Sequence, residues 1–350
     1  MAVTERLDAL QRRFRALGFP IAVMYKFFDD QGNYLAALIA YYGFLSFFPL
    51  LLLLSSILGY TLAGNPDLQR QVLDSALSQF PVIGQQLTSP TGLKGNPTAV
   101  VVGIAASLYG GMGVAQAVQH AMNTAWNVPL VHRPNAVLAR LRSLLLLAAG
   151  GLAIITTTIL AGLGAGTWVG GLDLGLELQL LSVVLSVLIN AGVLMLVFRI
   201  ATARPLSLRD TAPGAFLAAL IWLLLQSFGT AYIDRVVRGT TATNGVFAVV
   251  LGMLAWIYLS AIAVILCAEV NVVRVKHLYP RALLTPFTDD VDLTHGDARA
   301  YTDAATAQRA KGFQSVDVSF EGEGRDAQGR RIRRSRGAEE RRGGVADRRH

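Results

Sequence analysis

Glu269 stands just past an apolar run, residues 245–268, that carries no other charge. A carboxylate in such a place can pair with a base, bind a cation or carry a proton, and polar groups persist in membrane-type segments chiefly where they face protein or a cavity. Tyr41, Tyr42, Gln116, Arg199 and Asn271 fall at matching depth in or beside other apolar runs. Together with Glu269 they are read as the candidate residues of a polar vestibule on one side of a membrane. In that reading Glu269 pairs with Arg199 or holds a cation or proton; the competing reading is a boundary carboxylate paired locally with Arg274 or Lys276. Asn190, the most central polar residue of its run, is expected to make an interhelical polar contact, worth about 1 kcal/mol. Pro49 has no N–H for the carbonyl of Leu45 and its ring crowds that group, so a helix kink is expected there. Ser46, a neighbouring helix or a water is expected to satisfy the freed carbonyl, and the two tyrosine hydroxyls to reach Glu269 or Gln116.

Hydrolytic and metal chemistry find no support in the motifs. The five histidines, His120, His132, His277, His295 and His350, lack HExxH or HxxxH spacing, and there is no CxxC or GxSxG. No catalytic residue, metal site or cofactor is therefore assigned. The single cysteine, Cys267, lies in an apolar run and is read as a small buried hydrophobe.

The elements that must position these side chains are membrane helices. Of the 350 residues 53% are hydrophobic and 15% charged, against about 25% charged in soluble domains, and mean hydropathy is +0.46. A spanning helix needs about 20 mostly apolar residues. Six runs qualify, at roughly 35–62, 98–118, 143–165, 178–198, 212–233 and 245–268. Lys and Arg number 5 before the first run, 3 between the second and third, 3 over 199–209 and 3 just after the last, against 2, 0 and 2 in the alternate gaps. By the positive-inside rule the expected fold is an all-α, polytopic bundle of six transmembrane helices with both termini cytoplasmic.

Three domains follow. Residues 1–34 form a cytoplasmic N-terminal segment, either an interfacial helix or a solvated lead-in, without a cleavable signal pattern. Residues 35–284 form the membrane domain, with an external amphipathic helix at about 66–80 suggested by helical apolar spacing between Pro66 and Pro81. Small residues mark expected close contacts: Ala106, Gly110, Gly113 and Ala117 on the second span, Ala36, Ala40 and Gly43 on the first. Residues 285–350 hold 25 of the 54 charged residues and are expected to be a disordered cytoplasmic tail. Its Arg-rich part suits anionic lipid contact through charge; nothing in it supports specific nucleic-acid recognition.

Four separated blocks resemble the YihY/BrkB family of bacterial inner-membrane proteins: "NYLAALIAYYGFLSFFPLLLLLSSILGY", "SLYGGMGVAQAVQHAMNTAWNV", "RPLSLRDTAPGAFLAALIWLLLQSFGTAYI" and "LAWIYLSAIAVILCAEVNVV". The family's last block usually ends Gly-Ala-Glu-Leu-Asn, where this chain has Cys267, Ala268, Glu269, Val270 and Asn271. The Gly-to-Cys departure argues against very close backbone approach at position 267. The resemblance implies a six-span inner-membrane protein; some members are virulence or serum-resistance factors, and many carry an old ribonuclease BN label regarded as a misassignment. The expected function is transport of an ion, solute or lipid. A non-transporting scaffold for envelope assembly is the alternative, and membrane lipids are the expected partners of either.

Overall fold

Away from water, a helix is the element that satisfies every backbone N–H and C=O within its own segment, and the apolar runs do form helices. The computed structural model describes residues 8, 11–12, 14–61, 97–164, 176–232, 242–285, 288, 291–320, 324–325 and 331–332. In chain order the helices are α1 (Arg15–Asp29), α2 (Gly32–Thr61), α3 (Pro97–Ala125), α4 (Ala136–Gly164), α5 (Leu176–Ala201), α6 (Leu208–Tyr232), α7 (Ala242–Lys276) and α8 (His295–Ala307). The only strands among the described residues are two-residue segments, Gly324–Arg325 and Arg331–Ile332, paired antiparallel. The fold is all-helical in every other respect.

Helices α2 to α7 overlie the six apolar runs. Among the described residues, three are long and apolar enough to cross a membrane: α5 over Val183–Ala201, α6 over Leu208–Ser227 and α7 over Val250–Lys276. That is three candidate spans rather than the six expected. The external helix expected at 66–80, and the end of the arginine-rich tail from 333, lie outside the described residues.

Helix α7 organises the bundle, packing against α1, α2, α3 and α6, while α2 pairs most extensively with α3. The apolar core between them includes Ala36, Ile39, Ala117, Ala121, Met122, Phe198 and Ile265. The small residues of α3 do permit close contact: a Cβ on Gly113 would lie 2.3 Å from the Tyr42 ring, and one on Gly110 2.8 Å from Ser46 Cα. Gly43 instead faces Ile257 of α7. Helix α2 continues through Pro49, and Ser46 Oγ donates to Gly43 O at 3.0 Å rather than to the carbonyl of Leu45.

Helix α1 is two-sided: Ala22, Val23, Lys26 and Phe27 are buried, whereas Leu17, Met24 and Phe28 are exposed. A second core, which includes Val23, Trp126, Val272, Val273 and Leu278, joins it to the end of α7.

The expectation of disorder from residue 285 fails for residues 295–307. They form α8, whose N-cap Thr294 and Asp297 make a reciprocal capping box. Apolar content was a poor guide here because α8 is held by buried polar contacts rather than by large hydrophobic side chains.

Candidate functional site

The last turns of α7 carry two polar systems on different faces. The first faces α6. Pro213, inside α6, cannot donate to the carbonyl of Arg209 four residues earlier. Arg274 Nη2 fills that vacancy, donating to Arg209 O at 2.5 Å and reaching Asp210 O at 3.3 Å. One turn earlier on α7, Asn271 Oδ1 accepts from Gly214 N at 2.8 Å and its Nδ2 donates to Thr211 O at 3.0 Å. Asn271 is 1% exposed, and a Cβ on Gly214 would lie 2.1 Å from Cys267 O. Close backbone approach therefore does occur at position 267, with α6 supplying the glycine. Asn271 and Arg274 stitch two helices together.

The second system faces α1. Glu269 is fully buried; its carboxyl lies beside that of Asp30, close enough for the two to interact directly, and among the described residues neither of its oxygens accepts a well-formed hydrogen bond. Lys26 Nζ of α1 lies 3.8 Å from its Oε2. Lys26 is bound more tightly to Asp30, one turn further along α1, and both of those side chains are almost wholly enclosed. Burial works against the charge on Lys26, but Glu269 and Asp30 override it and hold the ammonium above its ordinary pKa. Asp30 is pushed up by its burial despite the attraction of Lys26.

This geometry has a chemical consequence. Two carboxyls share one ammonium in a buried setting, and a buried charge without a partner is costly. The cluster thus favours holding one further positive charge, a proton or a small cation.

Neighbouring ion pairs fix α1 over this site. Arg281, 1% exposed, donates from Nε to Asp297 Oδ1 at 2.5 Å and from Nη2 to Asp29 Oδ2 at 3.0 Å. Its guanidinium lies over Tyr301, 5.3 Å from the ring centroid, and Tyr25, at 5.9 Å. Burial of Arg281 opposes its charge, but Asp29 and Asp297 raise its pKa above the ordinary value. Asp297 Oδ2 also accepts from Ala282 N at 2.9 Å and Thr294 Oγ1 at 2.7 Å. Lys276 joins the same lobe, donating to Asp303 Oδ2 at 2.8 Å and Trp126 O at 3.0 Å.

The candidate residues named from sequence divide accordingly. Glu269 and Asn271 are close on α7 but serve different neighbours. Tyr42 packs against Gly113, whereas Tyr41 is 57% exposed and Gln116 is exposed. No hydrogen bond joins either tyrosine hydroxyl to Glu269 or Gln116 among the described residues. Neither expected pairing of Glu269 occurs: Arg199 donates from Nε to Leu206 O at 3.0 Å, and Arg274 and Lys276 are engaged elsewhere. Asn190 is half-buried and has no hydrogen-bond partner among the described residues. The residues missed were Lys26, Asp30 and Arg281. A lysine inside an otherwise apolar stretch, with acids three and four positions later, was the available signal for the first two.

A family model described as "Virulence factor BrkB" matches residues 23–286. The chain is similar to YfkH of Bacillus subtilis (strain 168), whose name calls it ribonuclease-like, at 26% identity over 248 residues, covering 69% of this chain and 89% of that protein. It is also similar to the inner membrane protein YhjD of Escherichia coli (strain K12), at 25% identity over 284 residues, 76% of this chain and 83% of that one. No solved structure matches.

Proposed function

The chain belongs to the BrkB family of membrane proteins, and we propose that it is a six-span inner-membrane protein, both termini cytoplasmic, that moves an ion, solute or lipid. The single observation that carries this reading is Glu269: a fully buried carboxyl whose oxygens accept no well-formed hydrogen bond among the described residues, at the end of a candidate span, beside the carboxyl of Asp30 and faced by Lys26 at 3.8 Å. A carboxyl serving only to hold helices would be expected to satisfy its oxygens, as Asn271 does. An exchangeable proton or cation supplies what Glu269 lacks.

The test is flux in liposomes containing purified full-length protein, with a panel of ions, small solutes and labelled lipids. Flux above that of empty liposomes is expected for at least one member, and Glu269→Gln is expected to reduce it about a hundredfold or more, as loss of a positioned ionisable group does in proton transfer. Absence of flux across the panel, or flux indifferent to Glu269→Gln, overturns the reading.

The folded lobe of α8 favours a second reading, a non-transporting scaffold for envelope assembly or virulence. Asp297, Arg281 and Lys276 secure that lobe to the bundle, giving a fixed surface for a protein partner. Crosslinking in intact membranes followed by pulldown tests it, and recovery of no reproducible partner removes its basis. Ribonuclease action is not proposed. An RNA phosphodiester would have to reach carboxyls enclosed between α1 and α7, and stringently purified protein is expected to cleave no RNA.

A further inference from the structure

Arg199 does not join the Glu269 cluster; it lines a groove of about 360 Å³ with Leu196, Ile200, Arg204, Pro205 and Leu206. The groove sits where the candidate span of α5 ends at Ala201, just before that of α6 begins at Leu208. Arg199 and Arg204 are both exposed, and neither forms an ion pair among the described residues. Arg199 spends only Nε on Leu206 O, so its terminal N–H groups are free. Arg204 lies over Trp126 with its carbon 5.9 Å from the ring centroid, which steadies the guanidinium without using its donors. The nearest acid in sequence, Asp210, caps Ser207 N at 2.9 Å and feels the charge of Arg204 without forming an ion pair with it.

A second feature runs from the same groove. Leu185, Leu188, Gly192, Leu196 and Arg199 recur at helical spacing on α5, and all five are exposed. An uncovered apolar track thus leads along a membrane-spanning helix to a pair of uncommitted guanidiniums. Arginine forks match phosphate oxygens in shape as well as charge, while the apolar track suits an acyl chain and has no use for a soluble phosphate.

We propose that this groove is a binding site for an acidic glycerophospholipid, its phosphate held between Arg199 and Arg204 and an acyl chain lying along Leu196, Leu188 and Leu185. The apolar track distinguishes such a lipid from a free phosphate ester. The net negative headgroup distinguishes it from a zwitterionic lipid, whose own ammonium competes with the two arginines.

The experiment is native mass spectrometry of the purified full-length protein with phosphatidylglycerol, phosphatidylcholine or glycerol 3-phosphate as the probe. The unaltered protein is expected to prefer phosphatidylglycerol over phosphatidylcholine. Arg199→Gln with Arg204→Gln is expected to reduce phosphatidylglycerol affinity about twenty-fivefold, from about fivefold per arginine at a charged membrane surface. Arg140→Gln, an exposed arginine on α4 outside the groove, is expected to leave that affinity unchanged. Equal affinity in the double variant, an equal effect of Arg140→Gln, or binding of glycerol 3-phosphate as tight as that of the lipid overturns the proposal. Should the double variant fail to fold, a photoactivatable phosphatidylglycerol on the unaltered protein decides. Crosslinking within residues 196–206, displaced by unlabelled phosphatidylglycerol and not by phosphatidylcholine, supports the site, and any other labelling pattern refutes it.

Discussion

Lys26→Met tests the buried cluster most directly. The substitution keeps much of the side-chain length but leaves the carboxyls of Asp30 and Glu269 enclosed without their ammonium. Unit charges separated by 3.8 Å, the distance from Lys26 Nζ to Glu269 Oε2, attract by about 4 kcal/mol at an effective dielectric constant of about 20. Desolvation of three ionisable groups opposes this, so the intact cluster contributes far less than that sum. Removal of one partner is a different matter, because the others remain buried, and the expected loss is about 3–5 kcal/mol. Glu269→Gln should cost less, since Lys26 keeps Asp30, and the two changes together should cost less than their sum by about 1–3 kcal/mol. The assay is a double-mutant cycle on reversible denaturation in mixed micelles, with hydrogen exchange reporting whether α1 opens first. Losses that add within about 0.5 kcal/mol would show that the two side chains do not interact and would refute the shared cluster.

Asp30 gives a pH dependence of definite sign. Its folded pKa is raised by burial, so its contribution to folding is greatest below the unfolded value of about 3.9 and is lost as pH rises through the higher folded value. Exchange protection of α1 should therefore fall over that window, and Asp30→Asn should flatten the profile; an unchanged slope counts against the assignment. Gly214→Ala should destabilise the protein by about 1–3 kcal/mol, because the new Cβ would meet Cys267 O at 2.1 Å. Thermal denaturation that shows no loss would mean that α6 and α7 separate at negligible cost.

How far the sequence revealed this arrangement depends on the range of each signal. The six apolar runs coincide with α2 to α7 because hydrophobic content and helical backbone satisfaction act within one segment. Gly43, Gly110 and Gly113 were also readable, since small residues at helical spacing report a close neighbour, although not that the neighbour of Gly43 is Ile257 of α7. Partner identity was not readable: Lys26 and Glu269 are distant in sequence, and no periodicity connects them. Nothing local distinguished Lys26 from the other bases that could have reached Glu269. In the tail, the Thr294 and Asp297 spacing of a capping box was present in the sequence, but composition spoke for disorder. The pairing of Asp297 with Arg281 becomes visible only when the end of α7 and the start of α8 are placed together.

The contrast within the end of α7 bears most directly on function. Asn271 and Glu269 are two residues apart and almost equally buried, so depth and solvation do not separate them. Asn271 uses both its donor and its acceptor on α6, and Arg274 replaces the hydrogen bond that Pro213 cannot make. On that face Arg274 Nε is the buried side-chain atom left without a partner among the described residues, while every polar atom of the Asn271 amide group that bonds α6 is used on backbone. Glu269 faces a single ammonium at 3.8 Å, and that ammonium is already engaged by Asp30. Had cohesion of the bundle been the only demand on this turn, a glutamine or an apolar residue at 269 would meet it at lower cost. On the transport reading proposed above, the Glu269 face is where an exchangeable positive charge would bind, beneath an α1 held in place by Asp29 and Arg281.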